Sequence, residues 1–304
     1  MSTGVDGMVL VPGGTTVIGN DHFYIEERPP REVSVGDVWF DEHPVTNAEF
    51  ARFVEETGHV TVAEVAPDPA DFPGADEALL VAGSQVFSQT AGPVSLHDWT
   101  QWWRWQPGAS WRAPQGPGSH WEEVPDHPVV HVGWADAAAY ARWIGKELPT
   151  EFEWEYAARG GLVGLDFAWG DELSPDGAVL ANTWQGPFPW RSEDAAGHHR
   201  TSPVGSYPAN GYGLRDMIGN VWEWTASRWT DSHARDGEAV SATATASPCC
   251  GGSVRLAETD RFVTKGGSHL CSPHYCQRYR PAARQGHGVN DTTSHVGFRC
   301  VRRG

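Results

Sequence analysis

Only a few stretches of this 304-residue chain carry a hydrophobic period long enough for a helix, and the tracts between them carry almost none. Thr46-Asn47-Ala48-Glu49 forms a capping box, with Phe50, Phe53 and Val54 following on one helical face and Gly58 as a stop. Residues 134–147 read as a helix with alanines on its packing face and Asp136 in its first turn. Thr150 to Glu153 is a second capping box, opening a helix over 151–159 that ends at Gly160-Gly161. Strand signals are short. Residues 8–19 give two apolar runs around Pro12-Gly13-Gly14, which reads as a hairpin, and residues 31–41 alternate as one strand. Residues 127–134 read as a strand with His127 and His131 on one face. The rest is punctuated by Gly and Pro, and no linker or internal repeat interrupts it. The expected architecture is one irregular α+β domain spanning residues 1–304.

Such a chain must satisfy its backbone polar groups without long ladders. It carries 16 Trp, and indole rings bury large areas with few rotors, so they can pin loops. Bound cations that collect loop carbonyls are a second means. The same aromatic content argues against disorder. A net charge of −17 argues against nucleic acid as a partner. No apolar run approaches the roughly 20 residues of a membrane span. The opening MSTGVDGMVLVPGG lacks a basic stretch followed by an apolar one, so no signal peptide is expected and a cytoplasmic location is. The charge is uneven. Residues 265–304 hold Lys265, Arg278, Arg280, Arg284, Arg299, Arg302 and Arg303 against Asp291 alone. These cations either pair with carboxylates elsewhere in the fold or line a site whose positive field lowers a thiol's pKa.

Five cysteines are too few for a disulfide scaffold. Cys271 and Cys276 lie five apart in KGGSHLCSPHYCQRYRPAAR (265–284), beside Ser268, Tyr275 and Arg280. They are two buried structural thiols, a redox dithiol, or ligands to a soft ion of low coordination number, with Cu(I) the first candidate. Tetrahedral zinc would need further ligands. Cys249 and Cys250 are adjacent in a Gly-flanked loop, and Cys300 reads as a core thiol. The residues show no serine-hydrolase elbow, P-loop or dinucleotide fingerprint in its required context.

The chain resembles the formylglycine-generating enzymes of the sulfatase-modifying factor family. The motifs that carry the resemblance run in order: VPGG near the start, PVTNAEFARFV (44–54), residues 127–161, NTWQGPFP (182–189), NGYGLRDMIGNVWEW (210–224), the two-cysteine segment and GFRC (297–300). The resemblance implies a C-type-lectin-like fold with little regular secondary structure. It also implies a copper-dependent oxidase. Cys271 and Cys276 would bind one Cu(I), and the substrate would be a Cys-x-Pro-x-Arg segment of an unfolded sulfatase chain. The substrate thiolate would join the copper, O2 would react, a hydrogen would leave Cβ, and hydrolysis of a thioaldehyde would give formylglycine. Ser268 and Tyr275 match active-site positions, with Trp222 and Arg280 implied at the substrate. One structural Ca2+ is implied at Asp216, Gly219, Val221 and Glu223, and a second at Asn182 and Thr183. A monomer is expected.

Some positions depart from the family pattern. Ala196 and His198 stand where the second calcium site has an Asp and an aromatic residue, leaving Asp194 as the nearest substitute. Ser272 follows the first cysteine where a His is common, and GHGVNDTT (286–293) replaces a groove-forming stretch. Two other readings therefore stand beside the first: an oxygenase acting on a different thiol, and a non-catalytic lectin-like binding module.

Overall fold

The computed structural model describes residues 7–71, 73–76, 80–193, 196–234, 256–257 and 259–304. Cys249, Cys250 and Asp194 lie outside the described residues. Strands β1 (Met8–Val11), β4 (Val38–Asp41) and β11 (Val301–Arg303) form an antiparallel sheet in the order β1-β4-β11, joining the two ends of the chain. A second sheet has the order β10-β7-β8-β9, from Val296–Gly297, Trp222–Arg228, Arg261–Lys265 and Arg284–Gly288, with β10 parallel to β7 and the other pairs antiparallel. Two further pairs are β2 (Gly14–Ile18) with β3 (Arg31–Val35) and β5 (Gly83–Phe87) with β6 (Trp103–Pro107).

The helices start where their caps predict. In α1 (Asn47–Thr57) the Thr46 hydroxyl accepts from the Glu49 N–H, and the Glu49 carboxylate accepts from the Thr46 N–H at 2.8 Å. Gly58, left-handed at φ 68°, ends it. The same reciprocal pair, Thr150 with Glu153, opens α3 (Glu151–Ala158). In α2 (Trp134–Trp143) Asp136 accepts from the Gly133 N–H at 2.9 Å. This helix is shorter than expected because the chain turns at Gly145, where φ is 68°.

Three strand expectations are corrected. The runs within 8–19 do not form a hairpin: β1 pairs with β4 and β2 with β3, in different sheets. Residues 31–41 are two strands broken at Gly36-Asp37, and a Cβ on Gly13 would come within 2.8 Å of the backbone of that break. Residues 127–134 are not a strand. Pro128 has no N–H to give, and the segment bonds outward instead, Val129 N–H to Val45 and His131 N–H to Thr293. His131 takes φ 62°, so the two histidines part. His127 meets the Thr201 hydroxyl at 3.0 Å, whereas the buried His131 ring lies between Ser84 and the Pro114 carbonyl.

Tryptophan does the pinning that ladders cannot. Trp134 stacks on Phe262 at 4.1 Å and donates its indole N–H to the Thr225 carbonyl. Trp224 donates to Val132, and Trp154 to Glu223 at 2.7 Å. Each ring buries its face in the core and ties a distant segment with its nitrogen.

Lys265, Arg278, Arg280, Arg284, Arg299 and Arg303 pair with carboxylates, the first of the two expectations for the C-terminal cations, and Arg278 also lies beside a thiol, as the second had it. Lys265, fully buried, donates to Glu155 at 2.9 Å and lies 3.6 Å from Glu151. Arg284 grips Glu151 with two nitrogens, and Arg299 grips Glu223. Burial opposes the charge of Glu155, but Lys265 and Arg159 overcome it and hold the carboxyl down to about 2. No helix among the described residues is long and apolar enough to cross a membrane.

Burial also pushes His131 and His269 down to about 4, so both are neutral in the fold. An unfolded histidine protonates near 6.5. The stability these neutral rings contribute is full above that value and is lost as pH falls toward 4. Each should add about 1.4 kcal/mol per pH unit to the slope of unfolding free energy across that window. Denaturation midpoints measured from pH 7 to 4.5 should fall steadily; a flat profile would contradict the assignment.

A two-thiol candidate active site

The site begins where β8 ends. Lys265 is anchored, and Gly266 and Gly267 then turn the chain with φ 91° and 72°. A Cβ on Gly266 would come 2.8 Å from the Met217 carbonyl oxygen, and one on Gly267 would come 2.5 Å from that of Arg278. Only glycine fits either position. Beyond the turn, Cys271 N–H donates to the Ser268 carbonyl. Residues 272–276 close a small loop, with Ser272 N–H bonded to the Cys276 carbonyl and Cys276 N–H to that of Ser272. This closure brings the two Sγ atoms to 3.5 Å.

The thiols are unequal. Cys271 is 2% exposed and receives the Ser268 N–H at 3.4 Å. Burial pushes it well up, and so does its hydrogen bond toward Cys276. Cys276 is partly exposed and is lowered to about 6, first by the Cys271 hydrogen bond and then, against burial, by Arg278. The buried thiol is thus the weaker acid of the pair and the partly exposed one the stronger. Among the described residues no cluster of three or more His, Cys, Asp or Glu forms a metal site. Two soft donors at this spacing fit a low-coordinate soft cation, with room for a third ligand from outside.

Tyr275, 39% exposed, stacks on Phe188 at 4.8 Å and meets Trp102 edge-on at 5.4 Å. Phe188, Trp102, Phe87, Trp184 and Leu270 form a separate apolar cluster beneath it. Ser268 is buried beside Cys271, its hydroxyl accepting from Leu270 N–H. The other two implied substrate residues lie elsewhere. Trp222 is 2% exposed in the principal core on β7 and offers no surface to a peptide. Arg280 is 1% exposed, its fork spent on Glu27 and its Nε on the Gln277 carbonyl, so it braces the site from behind.

Sequence reasoning missed the opposite wall. Residues 19–28 form a strap, with the Tyr24 hydroxyl accepting from Gln277 N–H at 3.0 Å and Glu26 paired to Arg278 at 2.6 Å. Phe23 lies under the Arg280 guanidinium at 3.6 Å. The adjacent acids Glu26 and Glu27, just after Phe23 and Tyr24, were the available signal, matching two arginines spaced two apart.

The two implied calcium sets differ. Asp216 is buried with its carboxyl raised, by burial first and by the Glu223 charge as well. Arg299 and Trp154 supply donors to Glu223, leaving two carboxylates facing one guanidinium. That balance, with the chain left-handed at Asp216, Gly219 and Asn220, fits a cation. The second set does not fit. The Asn182 amide turns its nitrogen inward, to the Arg200 carbonyl at 2.9 Å, Ser202 and Asn220, and one Gln185 amide takes both Thr183 oxygens.

The lowered Cys276 thiol has a direct consequence for reactivity. In metal-free protein, iodoacetamide labelling of Cys276 should rise with pH about a midpoint near 6. Peptide mapping at each pH measures it; a midpoint near the ordinary value of about 8.5 would contradict the geometry.

Comparison with known proteins gives the family. The family model described as the Sulfatase-modifying factor enzyme 1-like domain matches residues 2–304. The chain is 52% identical over 298 residues to the formylglycine-generating enzyme of Mycobacterium tuberculosis, covering 97% of each chain. It is 43% identical to the formylglycine-generating enzyme of Bos taurus, covering 97% of this chain and 74% of that one. The solved structure of PvdO from Pseudomonas aeruginosa superposes with a TM-score of 0.63 at 24% identity, covering 98% of this chain and 94% of the other, and shares the fold. The chain belongs to the sulfatase-modifying factor enzyme 1-like family.

Proposed function

We propose that this chain is a formylglycine-generating oxidase, converting the cysteine of a sulfatase Cys-x-Pro-x-Arg segment to Cα-formylglycine with O2 and Cu(I). The observation that carries the reading is the pair of free thiols 3.5 Å apart at the end of a glycine turn that admits no other residue. The relatives named for this activity, at up to 52% identity over nearly the whole chain, support the substrate class.

Cys271 and Cys276 would hold the copper, which when bound would supply a soft centre for the substrate thiolate and a route for electrons to O2. The chain's own groups prepare that site. Cys276 is the more exposed of the two thiols, so an incoming substrate sulfur would join the pair from its side. The Ser268 N–H fixes Cys271 Sγ from the buried side. The principal apolar core, which includes Cys271 and packs against Cys276, keeps water from that side of the pair. Tyr275, rigid on Phe188 yet open to solvent, is the contact for an incoming peptide. Buried Arg280 keeps the wall from yielding as the peptide docks.

Copper(I)-supplied protein should convert a Cys-x-Pro-x-Arg peptide to the aldehyde, read by mass spectrometry as loss of sulfur. Cys271→Ala and Cys276→Ala should each abolish conversion. Turnover by Cys276→Ala at the wild-type rate would overturn the reading.

We further propose that Ca2+ sits at Asp216 and Glu223 with the carbonyls of Gly219 and Val221, where its role is structural. Calcium should raise the thermal midpoint of chelator-treated protein, and Asp216→Ala should remove the rise. An unchanged midpoint in the wild type would contradict this assignment.

A further inference from the structure

Two arginines of the cysteine segment reach the strap, and their tasks are separable. Arg280 and Glu27 are 1% and 0% exposed, and that inner pair already ties the strap to the core. The outer pair, Arg278 and Glu26, is 23% and 17% exposed. Arg278 is placed with more care than an outer pair needs. One nitrogen lies 2.6 Å from Glu26, the guanidinium carbon is 3.7 Å above the Tyr24 ring, and Nη1 points to Cys276 Sγ at 4.0 Å. Gln277 N–H holds the Tyr24 hydroxyl, so ring and arginine are fixed from both sides.

We infer that Arg278 is a positioning residue for the two-thiol centre: clamped by Glu26 and Tyr24, its guanidinium holds Cys276 Sγ in the ligating geometry and offsets the negative charge that a bis-thiolate gathers. The inference rests on the copper reading above and adds to it a residue outside the ligand set. Lysine cannot replace this arrangement, because a single ammonium does not span Glu26 and the sulfur in the plane that the Tyr24 face sets. Groups that orient a metal ligand typically change affinity by about tenfold to a hundredfold when removed.

The test is Cu(I) affinity, measured by competition with a chromogenic chelator, together with the thermal midpoint of the metal-free protein. Wild type should take one Cu(I) through the cysteine pair. R278Q should bind it about tenfold or more weakly, with a midpoint close to wild type because Arg280 and Glu27 still hold the strap. R278K should bind more tightly than R278Q but short of wild type. If R278Q fails to fold, R278K decides alone, and wild-type affinity in R278K overturns the inference. Wild-type affinity in a folded R278Q overturns it too, and leaves the copper reading standing. If the wild type binds no more Cu(I) than C271A, the copper reading and this inference fall together.

Discussion

The buried ammonium of Lys265 is the fixed point of the structure. It ends β8 against Glu155 and Glu151, and the next two residues launch the cysteine segment. The same carboxylates are shared with Arg159, Arg284 and His233. A charge buried this deeply is tolerated only because each member has a partner, and removing one member of such a pair typically costs about 3–5 kcal/mol. The network therefore does more to specify than to stabilise. It anchors the strand end from which the glycine turn leads into the five-residue loop whose closure sets the distance between the two sulfurs.

Around this point the fold is mostly loop, and its irregularity follows from what holds it. A buried indole supplies a large apolar face and one donor, which suffices to tie a loop to a carbonyl or carboxylate oxygen far away in sequence. Trp134, Trp154 and Trp224 act in this way across 69 to 92 residues. The final basic segment acts similarly with charge. Its arginines reach Glu26, Glu27, Glu151 and Glu223, so the segment that carries the site is also the one that closes the molecule. An acidic chain thereby presents a cysteine sulfur beside a guanidinium.

What was legible in the sequence was local. Thr46 with Glu49 and Thr150 with Glu153 announce helix starts because both partners lie within one turn. The cysteine pair was legible because a five-residue loop closes it. Partners set by distant segments were not. The run at 8–19 resembles a hairpin, yet its first strand needs residues 38–41 and its second residues 31–35. The segment 127–134 has strand composition, but Pro128 and outward hydrogen bonds leave it without a ladder. Arg280 and Trp222 have the chemistry of substrate contacts, and only burial shows that the fold has used both. Tyr24 and Glu26 reach the site from more than 250 residues away, which no local pattern encodes.

The central claim is that two sulfurs, those of Cys271 and Cys276, would be the copper ligands, leaving a place for the substrate's sulfur. X-ray absorption at the copper edge, on protein carrying one equivalent of Cu(I), tests it most directly. The account predicts two sulfur neighbours in the free protein and a third when a Cys-x-Pro-x-Arg peptide is added. Nitrogen or oxygen neighbours in the free protein, or a spectrum that the peptide leaves unchanged, would contradict it.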